Sequence, residues 1–506
     1  MLSALSDLAR LRADDGRGLY ASAGELFSDA IFGRDSVASA ENLLHLLPAI
    51  SRNLILTLAG LQGTVEAPVG PGSNEEEPGK IHHEHRSLYV GGRRISPTSE
   101  RLLQQLSAVW GGDGRTLTYY GSADATPIYV RLVCHYCERY GKSLLSEPVI
   151  RRDGATTTVG DSVRAALHWT TRNLDGSSVG LVEFLRRNPA GIPFQVWKDS
   201  GTSYLHQDGM IANWDAPIAA VEVQGYAYDA LLGASRVFEE RHWRERAGEL
   251  RERLFDQLWM PEREYFAMGL DRDAASLPRR IDSIASNAAL LLDTELFDGL
   301  PEADRYLRGV VARICGPEFV TEAGVRCRSL NEADLADFQD YHGAWAVWMK
   351  ETFEVVRGLY RQGLPGLAHQ LGARILNAVN VAGANVEFLY VSPDQRVMYD
   401  FRSADPRSSN PEVIAGTNLP EEAQGWTVTA ALPLKWLQGS GRGWWPALPK
   451  RGDLEAELMS RVPGVEILTR RAGLQAGYAR RGDFVVNRRL GAERDQAARA
   501  RRRSRP

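Results

Sequence analysis

The sequence predicts an all-α protein in which paired helices close into a toroid, and three observations carry that expectation. Apolar residues recur at helical spacing in about a dozen segments. No heptad and no fixed short repeat runs through them, which sets the pattern apart from a coiled coil or a solenoid. The connectors are long and rich in turn residues, more than a simple bundle needs, and long loops on a helical frame commonly carry function.

In chain order, the first helical stretch is SVASAENLLHLLPAISRNLILTLAGLQ, entered from the turn FGRDS. The connector VEAPVGPGSNEEEPGK ends it, because clustered Pro and Gly break helical continuity. SERLLQQLSAVW follows, then TPIYVRLVCHYCERYG with Pro127 in its first turn, where a missing amide is tolerated. VGDSVRAALHWTTRNL precedes the connector RNPAGIPFQVWKDSGTS. Helical spacing resumes in AAVEVQGYAYDALLGASRVFEERHW, ERAGELRERLFDQLW, ASNAALLLDTELF, ADRYLRGVVARI, YHGAWAVWMKETFEVVRGLYRQG and LPGLAHQLGARILNAV. After SPDQRVMYDFRSADPRSSNPEV comes the last, EEAQGWTVTAALPLKWL. REYFAMGLD reads as a strand, and GVEILTRR with DFVVNRR as a small terminal β element. The expected division is a toroid over residues 1–440, a small extension over 441–490 and a basic, disordered tail over 491–506.

Composition narrows the function classes. A chain of 506 residues suits roughly two to four average domains or one large helical domain with insertions. A formal charge of −4 gives no global basic surface for nucleic acid, so such a partner is weighed only for the arginines of ARARRRSRP. Four cysteines make no disulfide framework, and MLSALSDLARLRADD has neither a basic nor an apolar leader region. No apolar run is long enough to span a bilayer. These features read as a reduced, cytoplasmic, soluble protein without a membrane partner.

The motifs point to chemistry. Arg34 and Asp35 in IFGRDSVASAENLL precede a helix; Asp35 or Ser36 can cap it, while an adjacent Arg-Asp pair also matches vicinal sugar hydroxyls. GKIHHEHR crowds His82, His83, Glu84 and His85, yet lacks the i, i+4 spacing of a helical zinc motif, and no metal is expected. Asp124 in YYGSADATPIYV sits at a helix start, where capping accounts for it and small residues also allow a ligand close. Cys134 and Cys137 read as buried thiols.

Asp199 in VWKDSG and Glu387 in AGANVEFLYV are carboxyls flanked by apolar or aromatic residues. Partial burial raises a carboxyl pKa toward the range a general acid needs. Glycoside hydrolysis uses two such groups, one to protonate the leaving oxygen and one to activate water. Trp197, Trp345, Trp348 and Trp426 lie in or beside these segments; Trp345 and Trp348, i, i+3 on an expected helix, suit either core packing or a sugar-stacking platform.

FGRDS, PGKIHHEHR, YYGSADATPIYV, VEFLRR, VWKDSG, PIAAVEVQGYAYDA, YFAMGLD, SNAALLL and YHGAWAVW occur in an order that resembles the glycogen-debranching-like amylo-α-1,6-glucosidases, relatives of the glucoamylase-like and mannosylglycerate-hydrolase-like (α/α)6 glycosidases. The resemblance implies a six-hairpin (α/α)6 toroid. It implies that Arg34 and Asp35 hold the terminal glucose, that Asp199 is the general acid and that Glu387 is the general base, although NVEFL matches the usual PEL-like string only inexactly. Glu84, Asp124, Trp197, Lys198, Gln224, His342, Trp345, Trp348, Gln424 and Trp426 are the implied substrate-binding residues. Lys198 must point away from Asp199 or bind substrate, because a close ammonium lowers a carboxyl pKa.

The chain departs from the resemblance at WMKETF, where Lys350 and Glu351 replace an expected His and Asp. The implied activity is inverting release of glucose from terminal α-glucosyl linkages, as an amylo-α-1,6-glucosidase without cofactor. The alternatives are hydrolysis of a small α-glucoside such as glucosylglycerate, a carbohydrate-binding toroid without turnover, and an RNA-associated protein using the arginine tail.

Overall fold

The structure is a computed structural model that describes residues 2–461 apart from 14–15, 25, 337–339, 396, 399–419 and 441–450. Among the described residues are thirteen α-helices. They are α1 (Leu2–Leu11), α2 (Gly33–Leu43), α3 (Pro48–Gly60), α4 (Pro97–Trp110), α5 (Ala125–Tyr140), α6 (Val159–Gly176) and α7 (Val221–Phe238). α8 (Arg241–Leu258), α9 (Ala303–Ile314), α10 (Met349–Arg361), α11 (Pro365–Ala382), α12 (Gly425–Ser440) and α13 (Gly452–Arg461) complete them. A 3₁₀ helix, Ser286–Asp293, stands where a further α-helix is expected from ASNAALLLDTELF.

Packing closes these elements into a ring. α2 packs on α5, α5 on α7, α7 on the 3₁₀ helix, the 3₁₀ helix on α10, α10 on α12, and α12 back on α2. Around this ring, α3 lies on α2, α6 on α5, α8 on α7, α9 on the 3₁₀ helix, α11 on α10 and α1 on α12. Six inner and six outer elements make the expected (α/α)6 toroid. α4 and α13 stand outside the scheme, packed on strand Thr116–Tyr119 and on α9 respectively.

Burial separates the layers. α9 buries only Ala303, Leu307, Val310, Val311 and Ile314, a single stripe at helical spacing, as an outer helix must. α10 buries every residue from Met349 to Tyr360, charged ones included, because it is enclosed on all sides. The 3₁₀ helix fits between its neighbours because each presents a glycine. A Cβ on Gly225 of α7 would meet Leu291 at 2.7 Å, and one on Gly358 of α10 would meet Leu292 at 2.6 Å.

Elsewhere the local reading needs adjustment. HLLP splits the first helical stretch into α2 and α3, with Pro48 opening the second. α1 lies where no helix is expected; its short stripe of Ala4, Leu8 and Leu11 is buried. REYFAMGLD forms strands Tyr265–Phe266 and Gly269–Arg272. The helix expected from Tyr341 begins only at Met349, because strand Ala346–Trp348 pairs antiparallel with Phe388–Val391. Trp345 and Trp348 therefore do not share a helix face. A second sheet orders Ala30–Phe32, Glu84–Ser87 and Thr116–Tyr119 antiparallel.

All four cysteines are free and buried, as read for Cys134 and Cys137. No helix among the described residues is long and apolar enough to cross a membrane. The terminal β element and the arginine tail lie outside the described residues, and of the extension only Arg451 and α13 are described.

Candidate active site

The inner helices bring their starts to one end of the ring. α2, α7 and α10 are each entered from a short strand, with extended N-cap residues Phe32, Ala220 and Trp348 that supply no side-chain cap. Polar residues of the first turns are thus left for other partners. Gly33 permits the tight entry of α2, since a Cβ there would meet the His82 carbonyl at 2.0 Å.

Arg34 and Asp35, both buried, sit in the first turn of α2. Arg34 donates from Nε and Nη2 to the two carboxylate oxygens of Asp124 at 2.6 and 3.1 Å. Asp124 occupies the N-cap position of α5 but makes no capping bond there; it accepts instead from Arg34 and from Ser122 Oγ at 2.7 Å. Capping therefore does not explain Asp124. Burial works to raise Asp124, but the Arg34 charge and its bonds more than offset this and hold the carboxyl below its usual range.

Asp199 follows on the connector and accepts from Tyr341 Oη at 3.0 Å. Burial lifts its carboxyl to about 6, against the Arg34 charge and the Tyr341 bond. Glu387 immediately precedes strand Phe388–Val391. Its amide donates to the Glu421 carbonyl at 2.9 Å, and its Oε2 accepts from the Glu421 amide at 3.2 Å. Burial pushes Glu387 up to about 8, and the charges of Asp35, Glu421 and Asp199 add to the effect. Burial raises Asp35 to about 7, with Arg34 opposing. Asp35, Asp199 and Glu387, far apart in sequence, thus share one electrostatic environment.

Aromatic rings wall this group. Trp197 meets His342 and Trp348 edge-on at 5.1 and 5.6 Å, and Trp348 meets Trp426 at 5.5 Å. Trp348 stacks with His342 and with Phe388, and its indole N–H donates to the Tyr341 carbonyl at 2.6 Å. Burial, with Lys198, Arg34 and Lys350 nearby, keeps His342 neutral, and its Nδ1 accepts from the Ser200 amide at 3.4 Å. The indole nitrogens of Trp197 and Trp426, His342 Nε2 and Ser200 Oγ are buried without a protein partner. These atoms can serve the hydroxyls of a bound sugar.

Several expected substrate contacts have other duties. Lys198 points away from the acid group: its Nζ donates to Ser286 Oγ and the Cys327 carbonyl, both at 2.7 Å, and pairs with Glu351 at 3.2 Å. The amide of Gln224 donates to and accepts from the Val182 backbone at 2.8 Å, so it is a core staple. Glu84 is ion-paired with Arg86 within the sheet. Trp348, 3% exposed and stacked as described, packs the aromatic wall and offers no stacking platform. Trp345 is half-buried against the core, its carbonyl accepting from Val391 at 2.7 Å. Gln424, at the entry of α12, is buried, and its Oε1 accepts from the Gly425 amide at 2.6 Å.

Among the described residues no group of three or more His, Cys, Asp or Glu is placed to hold a metal ion. Burial drives His82 and His83 down to about 3, making them neutral packing residues. Tyr341, Phe388 and Glu421 enter the site without having been singled out. All three stood in quoted strings, Tyr341 in YHG, Phe388 directly after Glu387 in NVEFL and Glu421 at the start of EEAQGW, but only the fold shows Tyr341 bonded to Asp199 and Glu421 bonded to Glu387.

The fold is similar to that of GH63 mannosylglycerate hydrolase from Thermus thermophilus solved with glucose. The two are 16% identical with a TM-score of 0.53, over 86% of this chain and 99% of that one. The chain is an all-α toroid of that kind. The same hydrolase solved with Tris and D-glycerate gives 15% identity and a TM-score of 0.51, over 86% and 99% of the chains. An uncharacterized conserved protein from the same organism gives 15% and 0.53, over 86% and 98%. No family model matches the chain, and no curated protein matches it.

Proposed function

We propose that this toroid is an inverting glycoside hydrolase that releases glucose from terminal α-glucosyl linkages, with the α-1,6 branch of a trimmed glucan as the first substrate class. The observation that carries this reading is that two carboxyls from distant segments border one aromatic cluster: Asp199 accepts from Tyr341, whose ring lies 6.1 Å from Trp348 and 6.2 Å from Phe388, the neighbour of Glu387, and burial raises the two carboxyls to about 6 and about 8.

Hydrolysis needs one proton on the pair: Asp199 gives it to the leaving oxygen while ionised Glu387 takes one from the attacking water. Arg34, fixed by Asp124, and Asp35 bind the hydroxyls of the departing glucose unit. Burial of Glu387 favours the opposite placement of that single proton, so the productive form is the minority one. The pair then titrates as a unit, and kcat/KM follows a bell with limbs near pH 6 and pH 8.

Product configuration and leaving group test the reading. Proton NMR during early hydrolysis of an α-glucoside should show β-glucose first; α-glucose first would overturn the inverting assignment. Asp199→Ala should keep activity on α-glucosyl fluoride, whose departure needs no acid, while Glu387→Ala loses it. The reverse result exchanges the two roles.

A second reading, hydrolysis of a small α-glucoside such as glucosylglycerate, draws on the glucose and D-glycerate named with the similar hydrolase. Incubation with limit dextrin and with glucosylglycerate, followed by chromatography of released glucose, separates the two.

A further inference from the structure

Two consecutive residues of α10 grip two consecutive residues of the acid loop. Lys350 Nζ lies 4.5 Å from the centroid of the Trp197 ring, and its ammonium is held one turn on by Glu354 at 2.6 Å. Glu351 Oε1 lies 3.2 Å from Lys198 Nζ, and Ser286 Oγ bridges them, accepting from Lys198 at 2.7 Å and donating to Glu351 at 2.5 Å. Lys198 and Glu351 are fully buried. The next loop residues are held in turn: Tyr341 bonds Asp199, His342 accepts from the Ser200 amide, and Ser203 Oγ donates back to the Lys198 carbonyl at 2.6 Å.

We propose that Lys350 and Glu351 are positioning residues that set Asp199 against the leaving oxygen, Lys350 through Trp197 and Glu351 through Lys198. Residues 193–203 form neither helix nor ladder, and beyond the Gln195 carbonyl, which accepts from the Ala123 amide at 2.7 Å, the loop is held to the rest of the ring by side-chain grips. A buried ion pair serves this purpose better than it serves stability, because desolvation largely offsets its attraction while its geometry is directional. A cation over an indole likewise fixes the ring's place as well as packing it.

The inference rests on Asp199 being the general acid, and the experiment separates failure of the two ideas. Wild type, Lys350→Gln, Lys350→Arg and the double variant Lys198→Met/Glu351→Leu are assayed on methyl α-glucoside, which needs protonation to leave, and on α-glucosyl fluoride, which does not. Thermal melting confirms folding. Lys350→Gln and the double variant should lose about tenfold or more in kcat on the methyl glucoside and less than about threefold on the fluoride. Lys350→Arg should restore most of the loss.

Equal losses on both substrates, or none on either, overturn the positioning function. Should the double variant fail to fold, Lys350→Gln decides by the same ratio. A wild-type protein that hydrolyses neither of these substrates, nor limit dextrin or glucosylglycerate, overturns the glycosidase reading instead.

Discussion

Glu387 is pushed far up, to about 8 from an ordinary 4.5, because burial and three nearby carboxylates act in the same direction. The folded chain therefore holds this proton more tightly than the unfolded chain. Its contribution to stability is complete below the unfolded pKa and is lost as pH rises through about 8. Glu387→Gln, which cannot ionise, should match wild type near pH 4 and become progressively more stable than it toward pH 8.5. The gain should be on the order of a few kcal/mol, read by urea denaturation at each pH. A difference that does not change with pH would place Glu387 in contact with water. The same residue should be indispensable for turnover. Glu387→Gln and Asp199→Asn are each expected to lower kcat by ~10²-fold or more with circular dichroism unchanged. For Asp35→Ala, an intact Tm with lost glucose binding separates a substrate contact from a first-turn helix acid.

At the scale of elements, the inner ring depends on close approach at the 3₁₀ helix. A Cβ on Gly358 would lie 2.6 Å from the Leu292 Cβ and 2.8 Å from the Asp293 amide nitrogen, atoms that cannot swing aside. Gly358→Ala should therefore destabilise the fold by about 1–3 kcal/mol through overpacking. Gly248 of the outer helix α8 has nothing within 4 Å of the same position. Gly248→Ala should stabilise by about 0.5–1 kcal/mol through helix propensity. Equal melting shifts in both variants would remove the packing explanation. Outer elements such as α9 were legible in the sequence because a helix with one wet face prints a 3.6-residue stripe. The 3₁₀ helix was not legible as such, since every residue of Ser286–Asp293 is buried, polar ones included, and the segment shows no one-sided stripe to distinguish its pitch. Strand Ala346–Trp348 was hidden for a related reason: its pairing with Phe388–Val391 is set by a segment some forty residues away.

For the molecule as a whole, closure of the ring recruits α1, which packs on α12 and joins it to the start of the chain. Asn385 also donates to Asp7 of α1 at 2.8 Å, tying the same helix to the segment before Glu387. Leu11, on the same helix, is fully buried in the main core. Leu11→Ala is expected to cost about 2–5 kcal/mol, with one cooperative transition in thermal unfolding. No change in Tm would show that α1 is dispensable to the ring.

The sequence by itself determined most of the helices, while the resemblance carried by its ordered short strings implied the ring and the two carboxyls on which the functional reading stands. Amphipathic period, turn residues and acids set among apolar neighbours are all properties of short stretches. Only the tertiary structure decided which helices line the ring and what each polar side chain does there. Arg34 meets Asp124 across 90 residues, and Asn42 meets Thr429 across 387. Lys198, Gln224 and Glu84 have the composition of ligands but are committed to Glu351, Val182 and Arg86. The physical reason is that a buried polar group must be satisfied by whatever the fold sets beside it, and that neighbour is chosen by ring closure rather than by the residues next to it in the chain.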